Sequence, residues 1–161
     1  MHFSFIIIFL TILIISYRLY YEIVLAKKIP LKRKEKLLVL LSNKFDGLKE
    51  NHLGLFEFTL KNRNLLFEYK AIRHKNGFSN YLKVYLDIST IEENIKKLCK
   101  IHFYCANIDN RDWVEMPVDV FFGSLNNLAK YSDKTVNRII SETEIYISEK
   151  RRETYKKQLL K

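Results

Sequence analysis

The hydrophobic pattern divides the chain into an apolar N-terminal stretch and a longer body of mixed periodicity. Residues 3–17 include no charged residue, no Gly and no Pro. Because Arg18 can extend to the lipid headgroups, the apolar stretch reaches about 18 residues, which is near the short limit for a bilayer-spanning helix. We therefore predict a transmembrane anchor with an interfacial end over residues 1–26. Its predicted interface residues are Tyr17, Arg18, Tyr20 and Tyr21.

Basic residues follow this stretch, and none precede it. Lys and Arg close to a span resist translocation, so the pattern predicts a single-pass signal-anchor with the N-terminus outside and the C-terminal domain in the cytosol. The basic juxtamembrane segment, residues 27–36, is predicted to contact the anionic leaflet. Its basic residues are Lys27, Lys28, Lys32, Arg33, Lys34 and Lys36.

Two alternatives for the N-terminus stay open. Val24-Leu25-Ala26 fits the small-residue pattern of a signal-peptide cleavage site, but Arg18 and Glu22 interrupt the apolar stretch and no basic side chain precedes it. A core helix of a soluble protein is the other alternative. A helix that is apolar on every side needs a large domain around it, so we favour the uncleaved anchor.

Residues 37–149 predict one α+β domain, and an amphipathic helix over residues 35–45 is predicted to lead into it from the membrane. Pro30 is predicted to end the membrane helix before it. Three stretches alternate between apolar and polar residues, which predicts antiparallel strands with one buried face. They are residues 56–60, 67–71 and 82–88, joined by turns at residues 61–64 and at Asn76-Gly77.

Helices are predicted to cover this sheet. Ser89 and Glu92 have capping-box spacing at the start of one helix, and Pro117 occupies the first position of another. A long amphipathic helix is predicted to begin with a cap at Ser132 or Asp133 and to lead into the C-terminus. Residues 101–106 are β-rich and predict a fourth strand. The predicted domain is thus a three- to four-stranded antiparallel sheet packed by helices.

The net charge of +10 lies in the flanks of this domain. Residues 37–149 have fifteen basic and fifteen acidic side chains, whereas residues 150–161 have six basic side chains and one acidic. A nucleic-acid-binding domain normally has its basic stripe on the folded body, so we do not favour nucleic acid as a partner. The basic tail, residues 150–161, is predicted to contact anionic lipid, with nucleic acid as the alternative. Its basic residues are Lys150, Arg151, Arg152, Lys156, Lys157 and Lys161.

One group of residues in the chain has a spacing that is compatible with a metal site or a reactive thiol. Cys99, His102 and Cys105 are three residues apart and are good zinc ligands by type. On a strand over residues 101–106, however, His102 and Cys105 would face opposite sides of the sheet. We therefore predict no metal and no cofactor, and no glycine-rich phosphate loop is recognisable.

The pattern favours a non-enzymatic, membrane-tethered module that binds a protein partner, such as an adaptor, an assembly factor or a toxin-neutralising protein. The predicted partner surface is Tyr81, Lys83 and Tyr85 on the outer face of the third strand, unless the C-terminal helix covers it. The alternative is an enzyme that acts on a lipid or membrane-bound substrate. Its candidate residues are His74, His102, Cys105 and Asp109, and a pocket lined by two or more of them would favour it.

Overall fold

The chain begins with a long helical segment, seen in a computed structural model that describes residues 2–75, 77–118 and 124–159. Helix α1, His2–Tyr20, leads into a π-helical segment, Tyr21–Lys28, and then into helix α2, Ile29–Ser42. All side chains from residue 5 to residue 20 are exposed. By length and composition, the described helix Phe5–Ser42 can cross a membrane.

Pro30 does not end this helix, contrary to the sequence prediction. It lies in the first turn of α2, where a missing N–H is best tolerated. The preceding turns are π-helical, and the Ile29 N–H donates to the carbonyl oxygen of Val24, five residues earlier. This wider turn keeps the helix going where an α-helical turn would bring the proline ring against a carbonyl group.

The body has a six-stranded antiparallel sheet, with strand order β1-β2-β3-β4-β6-β5. The α+β class is therefore confirmed, with more strands than the three or four predicted. Strands β2 and β3 contain the first two predicted alternating stretches, and β4 contains the third up to Asp87. The strands are β1 Lys49–Glu50, β2 Phe56–Leu60, β3 Arg63–His74, β4 Gly77–Asp87, β5 Cys105–Ile108 and β6 Arg111–Pro117.

Two hairpins have two-residue turns in which both residues are left-handed. Lys61 and Asn62 have φ of 52° and 60°, and Asp109 and Asn110 have φ of 51° and 58°. Positive φ at both turn positions matches the right-handed twist of the flanking strands. Strands β3 and β4 pair from His74 to Gly77, so Gly77 belongs to β4 rather than to the turn. The predicted turn residue Asn76 lies outside the described residues.

The described part of the chain has two further helices, α3 Glu93–His102 and α4 Leu125–Leu159. Helix α3 continues through His102, so the predicted strand at residues 101–106 is wrong and β5 starts at Cys105. Ser89 does not cap α3, because its hydroxyl oxygen accepts the Asp112 N–H at 3.0 Å. That bond joins the end of β4 to β6.

Helix α4 is longer than predicted and starts later than Pro117, which belongs to β6. It has 35 residues and no break at Ser132, whose buried hydroxyl donates to the carbonyl oxygen of Ala129. The Ser132 hydroxyl therefore bonds within the helix and does not cap the start of a new one. Helix α4 is continuous for about 52 Å. The helix predicted to begin at Pro117 would include Phe121 and Phe122, which lie outside the described residues.

Helices α2, α3 and α4 cover one face of the sheet and form the main core with it. The third strand follows the predicted alternation, since Leu82, Val84 and Leu86 all belong to this core. Tyr85 faces the other side, yet only 4% of it is exposed, so the prediction of an exposed Tyr85 is wrong. The core side chains from the helices are Leu37, Leu41, Ile95, Cys99, Leu128, Ala129, Val136, Ile139, Ile140 and Ile147.

Candidate functional site

The opposite side of the sheet, which we call the helix-free face, has a small apolar cluster of its own. Leu66, Tyr85 and Trp113 come from β3, β4 and β6 and are all buried. Trp113 donates its indole N–H to the carbonyl oxygen of Ile108 at 3.2 Å, and this bond within the β5–β6 hairpin fixes the position of the indole ring. No described helix residue belongs to the cluster. The C-terminal helix therefore packs on the main core and leaves this face open.

A polar network surrounds Tyr85 on the helix-free face. The Tyr85 hydroxyl donates to Glu68 at 2.6 Å, and Lys83 Nζ contacts both carboxylate oxygens of Glu115 at 3.1 Å. Burial, together with the bond to Glu68, raises the pKa of Tyr85. Burial opposes the charged form of Lys83, but the Glu115 carboxylate outweighs it and raises the Lys83 pKa. Tyr81, the remaining residue of the predicted partner surface, is half-buried.

A cavity of about 430 Å³ opens on this face near the turn between β5 and β6. Leu66 and Trp113 contribute apolar side chains to it, and Leu53, which also lines it, is 48% exposed. His52 Nε2 lies 4.0 Å from Asp109 Oδ2 across one side. The charged and titratable side chains that line it are of both signs: Asp46, Lys49, His52, Glu57, Asp109 and Arg111.

This cavity lies at the end of the domain farther from α1. It is lined by Asp46 and Gly47, which follow the end of α2, and by Asn64, near the start of β3. The other end of β3 lies beside the helical segment, where the Arg73 guanidinium carbon is 4.1 Å from the ring centroid of Tyr21. Strand β3 thus runs from the cavity to the end of α1.

The four candidate residues for an enzyme do not meet in this cavity, and only Asp109 lines it. His74 ends β3, and the His102 ring stacks on Tyr146 of α4 with centroids 4.3 Å apart. Cys105 Sγ is 3.9 Å from the carbonyl oxygen of Cys99, and burial raises the pKa of the Cys105 thiol to about 11. Among the described residues, no group of three or more His, Cys, Asp or Glu could hold a metal ion.

Of the six juxtamembrane basic residues, two contact the sheet and four are exposed. Arg33 lies over the Phe78 ring at 5.5 Å and donates to Asn80 at 3.2 Å. Lys34 pairs with Glu50 at 2.6 Å. These two cations therefore help to dock α2 on the sheet. The remaining four, Lys27, Lys28, Lys32 and Lys36, are exposed.

The basic tail is helical up to Leu159, and Arg151 joins it to the residue just before α3. Arg151 makes a bidentate contact with Glu92, with Nε and Nη2 at 3.0 and 2.8 Å from the carboxylate oxygens. Lys150 pairs with Glu153 within the tail. Arg152, Lys156 and Lys157 are exposed, and Lys161 lies outside the described residues.

Sequence reasoning missed most of the cavity because its walls come from the β1–β2 connection and from the β5–β6 hairpin. One local signal could have identified the hairpin. Asp109 and Asn110 are residue types that tolerate left-handed backbone, and β-rich residues flank them on both sides. The Asp109–Asn110 turn was not identified from the sequence.

Comparisons of this chain with protein-family models, with curated proteins and with solved structures find no match.

Proposed function

We propose that this chain is a membrane-tethered, non-enzymatic module that presents the cavity on its helix-free face to a cytosolic protein partner. One observation supports this most strongly: the cavity and the exposed apolar helix are at opposite ends of the same domain. The helix continues into α2, where Leu37 and Leu41 are fully buried in the main core. A domain joined to its anchor in this way holds the cavity away from the bilayer.

The chemistry of the cavity suits a protein surface. Apolar side chains from Leu53, Leu66 and Trp113 are surrounded by charges of both signs, which resembles the apolar centre and polar rim of many protein interfaces. An interface of this kind gains specificity from the arrangement of charges around it. The rim has two cations, Lys49 and Arg111, and three carboxylates, so it has no basic excess that would favour nucleic acid.

The enzyme alternative has less support. A catalytic site needs its acid, base or nucleophile close together, and only one of the four candidates, Asp109, lines the cavity. The His52–Asp109 pair at the cavity rim is highly exposed on both sides, with 68% and 58% of the side chains accessible. Exposure of this degree leaves the histidine in an environment close to water.

Site-specific photocrosslinking in membranes of the source cells tests the proposal. A photoreactive residue at His52 in the full chain should give a discrete protein adduct, whereas one at Tyr131, exposed on α4, should not. Leu53→Asp should remove the His52 adduct because it places a charge on the apolar part of the cavity. Ile145→Asp is the matched control, since Ile145 is equally apolar and 59% exposed but lies on α4. Adducts that persist in Leu53→Asp, or that form equally from Tyr131, would contradict the proposal.

A further inference from the structure

Strands β3 and β4 continue past the rest of the sheet as a two-stranded ribbon. Strand β2 stops pairing with β3 at Phe67, and β6 stops pairing with β4 at Lys83. The two strands remain paired with each other from Tyr69 to His74 and from Gly77 to Leu82. We call residues 69–75 and 77–81 the β3–β4 arm. A free two-stranded ribbon is only marginally stable in water, so the arm needs a support outside the sheet.

The helical segment provides that support. Arg33 of α2 contacts Phe78 and Asn80 on one strand of the arm, and the Tyr69 hydroxyl of the other strand donates to Asn80 at 2.6 Å. Near the end of the arm, Arg73 lies over the ring of Tyr21. Tyr21 directly follows α1, whose side chains from residue 5 onward are exposed and mostly apolar. The arm therefore extends along the helix to the point where the apolar stretch ends.

The charge of the arm is of one sign. Lys70, Arg73 and Lys75 lie within it, and residues 69–86 contain no Asp or Glu. Lys70 pairs with Glu68 just before the arm, so the basic charge near the tip comes from Arg73 and Lys75. Lys75 is exposed, and Ile72 has 48% of its surface exposed. Cations beside an exposed aliphatic side chain are the composition that binds the surface of an anionic membrane. The rim of the cavity has cations and carboxylates together, so it is not expected to bind an anionic membrane in this way.

We infer that the tip of the β3–β4 arm is a second membrane contact, which binds anionic lipid headgroups at the end of the bilayer-spanning helix. The inference rests on the proposed membrane anchoring of the chain. It assigns the membrane contact to a part of the folded domain, in addition to the helix. Two contacts on one rigid domain fix its tilt as well as its distance from the bilayer.

Lysine acetylation of the full chain in lipid nanodiscs tests this inference without any substitution. Lys75 follows the last residue of β3, and Lys61 belongs to the turn just before its first residue, so the two exposed lysines mark opposite ends of one strand. We expect a neutral acetylating reagent to modify Lys75 about threefold more slowly in discs with phosphatidylserine than in phosphatidylcholine discs, because the negative surface potential keeps nearby amines protonated. Lys61 should react equally in both. At about 1 M salt the difference at Lys75 should disappear.

The outcomes separate the inference from the proposed anchoring. If the chain stays with the discs and Lys75 reacts equally in both lipids, the arm is not a lipid contact and the anchoring stands. Equal slowing of Lys61 and Lys75 would also overturn the inference, because it would reflect the lipid composition and not the position on the domain. A chain that separates from the discs would contradict both. Protection of Lys75 by added nucleic acid and not by anionic lipid would assign the arm to a different partner.

Discussion

The Arg73 guanidinium lies over the ring of Tyr21, with its central carbon 4.1 Å from the ring centroid. This contact joins the end of the longest described strand to the first residue after the exposed apolar helix. A cation over a tyrosine ring is attracted by the negative face of the ring. The domain is thus held to the helix at two separate places, through the main core and through the β3–β4 arm.

Arg73→Ala should loosen the arm from the helix and leave the main core intact. A cation–π contact at an exposed site contributes about 0.5–1 kcal/mol, so amide exchange in residues 69–74 should become a few times faster. Hydrogen exchange of the full chain in nanodiscs measures this. Arg63→Ala, at the other end of β3, is the control, because it removes an ion pair with Glu144 far from Tyr21. Equal exchange of the arm in both variants would mean that Tyr21 does not support it.

The two faces of β4 should respond differently to substitution. Val84→Asp should prevent folding, because Val84 is 0% exposed and the variant would bury an unpaired carboxylate. Lys83→Met keeps the aliphatic stem and removes a partly exposed ion pair, so it should cost about 1 kcal/mol. Lys83→Asp is less informative, since the new carboxylate would meet Glu115. Urea unfolding of the full chain in detergent measures both, and similar losses would show that the faces are misassigned.

The alternation of apolar and polar residues predicted β2, β3 and β4 well because each has one face in the main core. It did not predict that Tyr85 is buried on the second face. Tyr85 is enclosed by Leu66 and Trp113 from two neighbouring strands, and Trp113 belongs to β6, a strand that the sequence did not predict. Burial that depends on a residue distant in sequence cannot be seen in the alternation of apolar and polar residues along β4.

Acid should weaken the network around Tyr85. Burial raises the pKa of Glu68, but hydrogen bonds from Lys70 and Tyr85 outweigh it, so its folded pKa is below the ordinary 4.5. A lowered carboxyl pKa stabilises the folded state above the unfolded pKa, and this contribution is lost as the pH falls through the folded pKa. The free energy of unfolding of the native chain should therefore exceed that of Glu68→Gln near pH 7, and the difference should shrink below about pH 4. A difference that is constant with pH would contradict this.

The basic tail is predicted from the sequence to reach anionic lipid, and its position suggests a different outcome. Arg151 pairs with Glu92, which comes after the end of β4, whereas the arm at the start of β4 reaches Tyr21. The β4 strand separates these ends by about 33 Å. We therefore expect Lys156 and Lys157 to be acetylated at equal rates in phosphatidylserine and phosphatidylcholine discs. Slower acetylation with phosphatidylserine would support the tail as a lipid contact.

The candidate site was less predictable than the fold, for a physical reason. The cavity needs the β1–β2 connection and the β5–β6 hairpin to meet, and neither has a long periodic pattern. The sequence also did not predict which of the juxtamembrane basic residues dock on the sheet. Arg33 and Lys34 look like their neighbours in the sequence, and only the docking of α2 on Phe78 and Phe56 distinguishes them.

Protease protection in sealed, right-side-out cells tests the proposed tethering most directly. The full chain should sediment with membranes and resist alkaline extraction, keep residues 1–26, and have a C-terminal tag that is digested only after the cells are opened. That result follows if the apolar helix is an uncleaved anchor and the basic residues after it stay in the cytosol. Digestion of the tag in intact cells would contradict the proposed orientation. A soluble product that begins after Ala26 would contradict the anchor itself.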